Sequence, residues 1–247
     1  MIDLNPVDQY MLEVINRNEI PGFDGFFRVF THLGSAAFCL FVFTLYFLAG
    51  KQKLVAAIFI IALLFGTVIN EDIKNIVQRD RPEGAVVGIA LTPVNYSFPS
   101  QHAQTAFMIA ALAAVYFGIK YRLIVYIFAI LVAVSRMYLG VHYLTDVAAG
   151  AVSGIIIAEL VMLAAYLNGL TKDTGIIGYV ASLAGLRPPT YPAPGSQMLV
   201  GLIILFAGIG ISSIAMLTGQ YAVSLVFIAL VYLWILELPF VYAVYKG

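Results

Sequence analysis

The chain has 247 residues, of which 62% are hydrophobic and only 11% are charged, and its formal net charge is zero. This composition, with a mean hydropathy of +0.97, excludes an ordinary soluble protein and indicates a membrane protein. The absence of a net positive charge argues against nucleic acid as a partner. A single cysteine excludes an internal disulfide framework and a cysteine-rich metal site.

Residues 6–20 carry apolar side chains at helical spacing, with polar and charged side chains between them. Two interpretations fit this pattern. The segment is either a short amphipathic helix that lies at the membrane interface, or a helix that packs on the bundle and caps it.

Apolar runs of about 20 residues are long enough to cross a bilayer as helices. We predict such spans at 28–49, 53–73, 102–119, 122–139, 146–168, 197–217 and 221–245. The fold class is therefore all-α, a polytopic transmembrane helical bundle. We expect a five-span core in residues 1–168, a Pro-rich connector in 169–196, and a C-terminal hairpin of two transmembrane helices in 197–247.

Charge outside the candidate site predicts an orientation. The side of the N-terminus carries three such cations, whereas the opposite side carries seven: Lys51, Lys53, Lys120, Arg122, Lys172, Arg187 and Lys246. The positive-inside rule then places the N-terminus, and the segments 74–101 and 136–145, on the non-cytoplasmic face.

Charge is concentrated in three short clusters, at 74–82, 99–102 and 135–146, beside long apolar runs. The clusters contain the cations Lys74, Arg81 and Arg136, and the imidazoles of His102 and His142. Such a set of groups indicates a site for a multiply charged anion, and phosphate is the obvious candidate.

Local geometry is predicted for each cluster. If the second span continues as a helix to Pro82, Lys74 and Arg81 share one face, and Arg79 is a solvated surface charge. Ser100 is well suited to cap the next helix, so that the amides of Gln101, His102 and Ala103 form an anion site. On a helix, Asp146 can accept a hydrogen bond from His142 four residues earlier and leave the other imidazole nitrogen basic.

In this order, the motifs Lys-x6-Arg-Pro, Pro-Ser-x-His and Ser-Arg-x5-His-x3-Asp resemble the three-part signature of the type 2 phosphatidic acid phosphatase (PAP2) superfamily. The resemblance extends over residues 74–146. It implies a helical bundle that removes phosphate from lipid phosphates or diphosphates without a metal or other cofactor. The haloperoxidase branch of this superfamily is disfavoured because its chains are soluble.

The resemblance also implies a role for each residue. His142 would attack phosphorus and form a phosphohistidine, oriented by Asp146, and His102 would protonate the leaving oxygen and later activate water. The non-bridging oxygens would be held by Lys74, Arg81, Arg136, the Ser100 hydroxyl and the backbone of Gln101. At position 101 the family most often has glycine, so glutamine is a departure from its pattern.

Other polar residues are given structural interpretations. His32 is read as interfacial, and the acidic residues Glu71, Asp72 and Asp80 as neutralising the rim of the basic site. For Glu159 and Glu237, inside predicted spans, functional and structural roles are both open. The pair Gly150 and Gly154 predicts close helix packing.

We therefore expect a phosphatase of the plasma membrane that acts on a lipid phosphate or diphosphate. The substrate would be an isoprenyl diphosphate of the undecaprenyl or dolichyl type, phosphatidate or phosphatidylglycerophosphate. Two alternatives remain: a lipid phosphotransferase that uses the same phosphohistidine, and a catalytically silent lipid-binding membrane protein. The sequence does not determine the oligomeric state.

Overall fold

The computed structural model of the chain describes residues 5–17, 23–50, 52–82, 95–116 and 119–167, with short helical pieces at 179–180 and 183. Within the main ranges the chain forms the helices α1 (Pro6–Arg17), α2 (Phe23–Thr31), α3 (Ala36–Ala49), α4 (Lys53–Val77), α5 (Gln101–Tyr116), α6 (Ile119–Tyr138) and α7 (Leu144–Leu167). The all-α fold class is confirmed. The predicted C-terminal hairpin, with Glu237, and nearly all of the connector lie outside the described residues.

Three described helices are long and apolar enough to cross a membrane: Leu54–Val77, Tyr121–Tyr138 and Leu144–Tyr166. They match the spans predicted at 53–73, 122–139 and 146–168 within a few residues. The helix in the predicted span 102–119 is α5, which has 16 residues. At about 1.5 Å per residue it is shorter than the hydrocarbon layer of a bilayer.

The predicted span 28–49 is not one continuous helix. It breaks at the 3₁₀ turn His32–Gly34, and the segments Gly25–His32 and Ala36–Ala49 are bent by 51° relative to each other. Ser35 begins the second segment, because its hydroxyl accepts a hydrogen bond from the amide of Phe38 at 3.2 Å. The bent pair forms a fourth candidate span if it is counted as one.

Buried apolar side chains from α3, α4, α5 and α7 form one cluster, which we call the apolar core. Its largest fully buried side chains are Phe59, Leu63, Met108, Leu112 and Met162. These residues come from the first half of α4, the middle and second half of α5 and the end of α7. The apolar core therefore occupies the end of the bundle opposite the three charged clusters.

Small residues allow α5 and α7 to pack closely. Most of the 16 residues of α5 are buried, and many of them are alanine. On α7, a Cβ atom at Gly150 would overlap the carbonyl oxygen of Ser100, and one at Gly154 would overlap that of Gln104. The predicted close packing of this glycine pair is confirmed, and it holds the start of α5 against the start of α7.

Candidate active site at the polar end of the bundle

The polar end of the bundle is the region where α4 and α6 end and α5 and α7 begin. It contains all the predicted site residues: Lys74, Arg81, Ser100, Gln101, His102, Arg136, His142 and Asp146. Most of them are buried, with exposed fractions of 2% for Lys74, 7% for Arg136, 2% for His142 and 0% for both Ser100 and Asp146. The fold thus brings the three sequence clusters into one region.

The end of α6 places Arg136 and His142. The amide of Gly140, which has a φ of 65°, donates to the carbonyl of Met137 at 2.9 Å, and the amide of Val141 donates to that of Arg136 at 3.2 Å. This pair of bonds is a Schellman motif, for which glycine is suited because it adopts positive φ without a Cβ penalty. His142 follows directly and lies in a turn.

His142 therefore does not lie on a helix with Asp146, as the sequence interpretation assumed, because α7 begins only at Leu144. Asp146 is in the first turn of α7, and its Oδ2 accepts a hydrogen bond from the amide of Tyr143 at 2.9 Å. A carboxylate at this position satisfies an amide at the helix start and interacts favourably with the helix dipole. The same Oδ2 lies 3.5 Å from Nδ1 of His142.

The imidazole of His142 lies between the guanidinium of Arg81 and the carboxylate of Asp146. Its Nε2 is 3.2 Å from Nη1 of Arg81, and its Nδ1 faces Asp146. Since a guanidinium only donates hydrogen bonds, the contact assigns the lone pair to Nε2 and the proton to Nδ1. Burial lowers the pKa of His142 well below its usual value, and the charges of Arg136, Arg81 and Lys74 lower it further. Both effects favour the neutral ring.

Helix α4 does not continue to Pro82, so the condition under which Lys74 and Arg81 would share one helical face is not met. The helix ends at Val77, and Gln78 adopts a left-handed conformation with a φ of 51°. This turn redirects the chain, so Arg81 reaches the site from a loop. Its guanidinium donates to the carbonyl of Val141 at 2.8 Å and to the side-chain and backbone oxygens of Asn95 at 2.7 and 2.9 Å.

Arg79 is not a solvated surface charge, contrary to the sequence interpretation. Only 12% of its side chain is exposed. Its Nη1 lies 2.6 Å from Oδ1 of Asp146, its Nη2 lies 2.7 Å from Oδ2 of Asp8, and its guanidinium carbon lies 4.1 Å from the ring centre of Tyr143. Burial lowers the pKa of Arg79, but the two carboxylates outweigh this effect and raise it.

Asp8 connects α1 to the start of α7. Its side chain is fully buried, and its two oxygens accept hydrogen bonds from the amide and the hydroxyl of Thr145 at 2.9 and 2.6 Å. Burial raises the pKa of Asp8, but the bonds from Arg79 and Thr145 outweigh it and hold the pKa below its usual value. Helix α1 therefore packs on the bundle, as one of the two interpretations of this segment predicted.

Two of the cations are deeply buried. Lys74 donates to Glu71 at 3.0 Å, as expected for an acidic residue that neutralises the basic site. Arg136 donates from Nη1 to the hydroxyl of Thr31 at 2.7 Å, while its Nε has no hydrogen-bond partner within the described residues. The hydroxyl of Ser100 is also buried without a partner there. These groups can satisfy oxygens of a bound anion.

The start of α5 supplies backbone amides, a third kind of group that can bind an anion. Ser100 does precede the first residue of α5, as predicted, although its hydroxyl does not cap the helix. The first-turn amides, from Gln101 onward, have no acceptors within the helix itself. His102 lies in this turn, and the charged or titratable groups that act on it are those of Arg136, His142, His32 and Lys74.

His32 thus lies closer to the candidate site than its interfacial interpretation suggests. Its 3₁₀ turn packs against α5, although the side chain is exposed. Asp72 is fully buried and does not lie at a rim, whereas Asp80 is exposed. Within the described ranges, no group of three or more His, Cys, Asp and Glu side chains could hold a metal ion.

Sequence reasoning missed the contribution of Asp8 and Arg79. One signal was available for Asp8: it shares a helical face with Met11 and Ile15, and an acid on the apolar face of a short helix implies a buried partner. Ile15 does pack against the small apolar cluster around Ala103 beside the site. No comparable signal existed for Arg79, whose position depends on where α4 ends.

Comparison with known proteins gives a consistent family. The family model described as the PAP2 superfamily matches residues 55–170. Phosphatidylglycerophosphatase B of Bacillus subtilis is 35% identical over 111 residues, which cover 40% of this chain and 53% of that protein. Decaprenylphosphoryl-5-phosphoribose phosphatase of Mycobacterium tuberculosis is 34% identical over 90 residues, 36% of this chain and 49% of that protein. The chain thus spans about half the length of these curated relatives.

Solved structures extend the similarity to the fold. The crystal structure of Aquifex aeolicus LpxE matches with a TM-score of 0.56 and 26% identity, over 65% of this chain and 98% of that one. The transmembrane PAP2 type phosphatidylglycerolphosphate phosphatase of Bacillus subtilis matches with a TM-score of 0.52 and 27% identity, over 65% and 86% of the two chains. With its candidate spans, the protein is an integral membrane protein.

Proposed function

Since the chain belongs to the PAP2 superfamily through residues 55–170, we propose that it is a metal-independent phosphatase of membrane lipid phosphates or diphosphates. The observation that carries the proposal is the environment of His142. Its Nε2 lies 3.2 Å from a guanidinium that can only donate, and its Nδ1 faces the carboxylate of Asp146. A neutral, oriented imidazole whose lone pair lies on Nε2 can act as a nucleophile.

The reaction would proceed by two displacements. Nε2 of His142 attacks phosphorus, the bond from phosphorus to the lipid oxygen breaks, and His102 gives a proton to that oxygen. A water then attacks the phosphohistidine and gives its proton to His102, so that inorganic phosphate and the free imidazole are released. Asp146 would stabilise the positive charge that develops on the ring of His142 in the first step.

The remaining site residues would bind the phosphoryl oxygens. Lys74, Arg81 and Arg136 supply three positive charges where negative charge accumulates in the transition state. The unpartnered Nε of Arg136 and hydroxyl of Ser100 support this assignment, because buried polar atoms in folded proteins normally have hydrogen-bond partners. The amides at the start of α5, including that of Gln101, would contribute the helix dipole.

For the substrate we propose a lipid whose phosphate reaches the polar end while its tail remains in the membrane. The names of the relatives include a phosphatidylglycerophosphatase and a phosphatase of a decaprenyl lipid. Phosphatidylglycerophosphate, phosphatidate and an isoprenyl diphosphate are therefore the substrates to compare. We place the protein in the plasma membrane with the polar end on the non-cytoplasmic face, because the cations outside the site are more numerous on the other side.

The experiment is a phosphate-release assay of the purified protein in mixed micelles with these three lipids. We expect release with a chelator present, inhibition by vanadate, and a loss of about a thousandfold or more in the His142→Ala variant. A strict requirement for magnesium, or full activity in His142→Ala, would contradict the proposal. Labelled lipid product with little free phosphate would indicate the phosphotransferase alternative, and the absence of turnover would indicate lipid binding alone.

A further inference from the structure

We propose that Asp8 and Arg79 are positioning residues for the reaction, since they hold Asp146 in the orientation that directs its second oxygen at His142. This inference rests on the proposed function. It assigns to the N-terminal helix α1 a part in the chemistry, whereas the three sequence motifs place the whole site between residues 74 and 146.

The contacts form a continuous chain of charges. Oδ2 of Asp8 lies 2.7 Å from Nη2 of Arg79, and Nη1 of Arg79 lies 2.6 Å from Oδ1 of Asp146. The guanidinium thus occupies one oxygen of Asp146, and the amide of Tyr143 binds the other at 2.9 Å. With both oxygens held, rotation of the carboxylate is restricted, so Oδ2 stays 3.5 Å from Nδ1 of His142, a buried nitrogen that has no hydrogen-bond partner within the described residues.

Burial strengthens each of the contacts that position Arg79 and Asp146. Asp8 and Asp146 have no exposed side-chain surface, and the side chain of Arg79 is only 12% exposed. In such surroundings an unpaired charge is costly, and charge-assisted hydrogen bonds are stronger than those between neutral groups. Tyr143, below the guanidinium, adds a cation–π contact that further restricts where Arg79 can go.

Asp8 also sets the charge balance among the side chains of Asp8, Arg79 and Asp146. Arg79 alone would neutralise Asp146 and weaken its effect on His142. Asp8 takes up part of the charge of Arg79, so Asp146 keeps negative charge toward the imidazole. Two further contacts, from the amide and hydroxyl of Thr145 to Asp8, hold α1 against the first turn of α7 at the distance that this arrangement needs.

The test is the Asp8→Asn variant, which keeps the shape of the side chain but removes its charge. We expect kcat to fall by about tenfold with little change in KM, a loss like that at the outer hydrogen-bond partners of metal-ligating histidines. Glu13→Gln is the matched control, because it removes the same charge from an exposed position of α1. The assay uses whichever of the three lipids the wild type hydrolyses fastest.

The pH profile separates positioning from simple destabilisation. With Asp8 neutral, the charge of Arg79 is less compensated, the imidazolium form of His142 is disfavoured, and the acid limb of kcat/KM moves to lower pH. Besides Arg79, the charged and titratable groups around His142 are Lys74, Arg81, His102, Arg136 and Asp146, and all of them are retained in the variant.

Two further variants keep the proposal falsifiable if Asp8→Asn is less stable. Arg79→Lys keeps the cation without the planar fork, so we expect a kcat between those of the wild type and Arg79→Gln. In a double-mutant cycle, Asp8→Asn is expected to cost less in the Arg79→Gln background, because Asp8 then has no cation to act through.

Leu112→Ala serves as the stability control, since Leu112 is fully buried in the apolar core. Wild-type kcat and an unmoved acid limb in Asp8→Asn would overturn the proposal. So would a loss of kcat no larger than that of Leu112→Ala at an equal fall in melting temperature. Failure of the proposed function is recognised separately, by a wild type without phosphate release or by an active His142→Ala variant.

Discussion

The two ends of the described bundle are built on opposite principles. The apolar core between α3, α4, α5 and α7 is filled by side chains such as Phe59, Leu63 and Leu112, with exposed fractions of 1%, 2% and 0%. The polar end buries Lys74, Arg136 and His142 almost as completely, and leaves Arg136 Nε without a partner among the described residues. One end is optimised for packing, while the other holds polar groups that a ligand can satisfy.

This difference indicates that the apolar end contributes mainly to stability and the polar end mainly to activity. Burial of apolar surface favours folding, whereas burial of cations costs free energy unless they are paired. We therefore expect substitutions at the polar end to change activity much more than stability. Substitutions in the closely packed interior should do the opposite.

Among the variants that compare the two ends of the bundle, the largest effect is expected at Lys74. Lys74→Met should lower kcat/KM by about a hundredfold or more, because it removes a charge that would stabilise the transition state. The melting temperature should not fall, since the variant removes a buried charge and the side chain of its partner Glu71, 29% exposed, can be solvated. Phosphate release and thermal melting in detergent measure the two quantities.

Arg28→Met is the control for Lys74→Met, because Arg28 is an exposed cation on α2. It should leave both quantities unchanged. If Lys74→Met lost activity and its melting temperature fell in parallel, the predicted difference between the two ends would be contradicted.

An intermediate effect, on stability alone, is expected at Gly154. The Cβ branch in Gly154→Val would overlap the backbone of α5 at Gln104, and such overpacking typically costs about 1–3 kcal/mol. The free energy of unfolding in detergent should fall by that amount, while the folded fraction keeps its activity. Val152→Leu, at a position on the same helix that is 57% exposed, should have little effect on either quantity.

The smallest effect is expected at Gln104, which carries a polar network inside the bundle. Its amide nitrogen donates to the carbonyl of Gly66, and its oxygen accepts from Asn70 at 2.7 Å and from Ser153 at 3.2 Å. Gln104→Leu should lower the free energy of unfolding by only about 1 kcal/mol, because polar contacts between membrane helices contribute modestly. Ser153→Ala, which removes one contact, should cost less, and a loss above that of Gly154→Val would contradict this order.

The helices of the described core were largely predictable, because long apolar runs bounded by polar segments specify membrane helices directly. α4, α6 and α7 agree with their predicted spans, and the break between α2 and α3 was missed because His32–Gly34 carries no proline. The three motifs likewise predicted which residues meet at the polar end. Their roles in catalysis remain predictions until the variants above are measured.

The sequence alone determined the class of the molecule and predicted which motif residues meet at its candidate site, since hydropathy and motif spacing are local properties of the chain. Only the tertiary structure decided how the site is held together. The left-handed turn at Gln78 ends α4 early and points Arg79 inward, and the docking of α1 brings Asp8 to a residue 137 positions away. Such contacts depend on how helices pack against one another, and no pattern within a single helix specifies that arrangement.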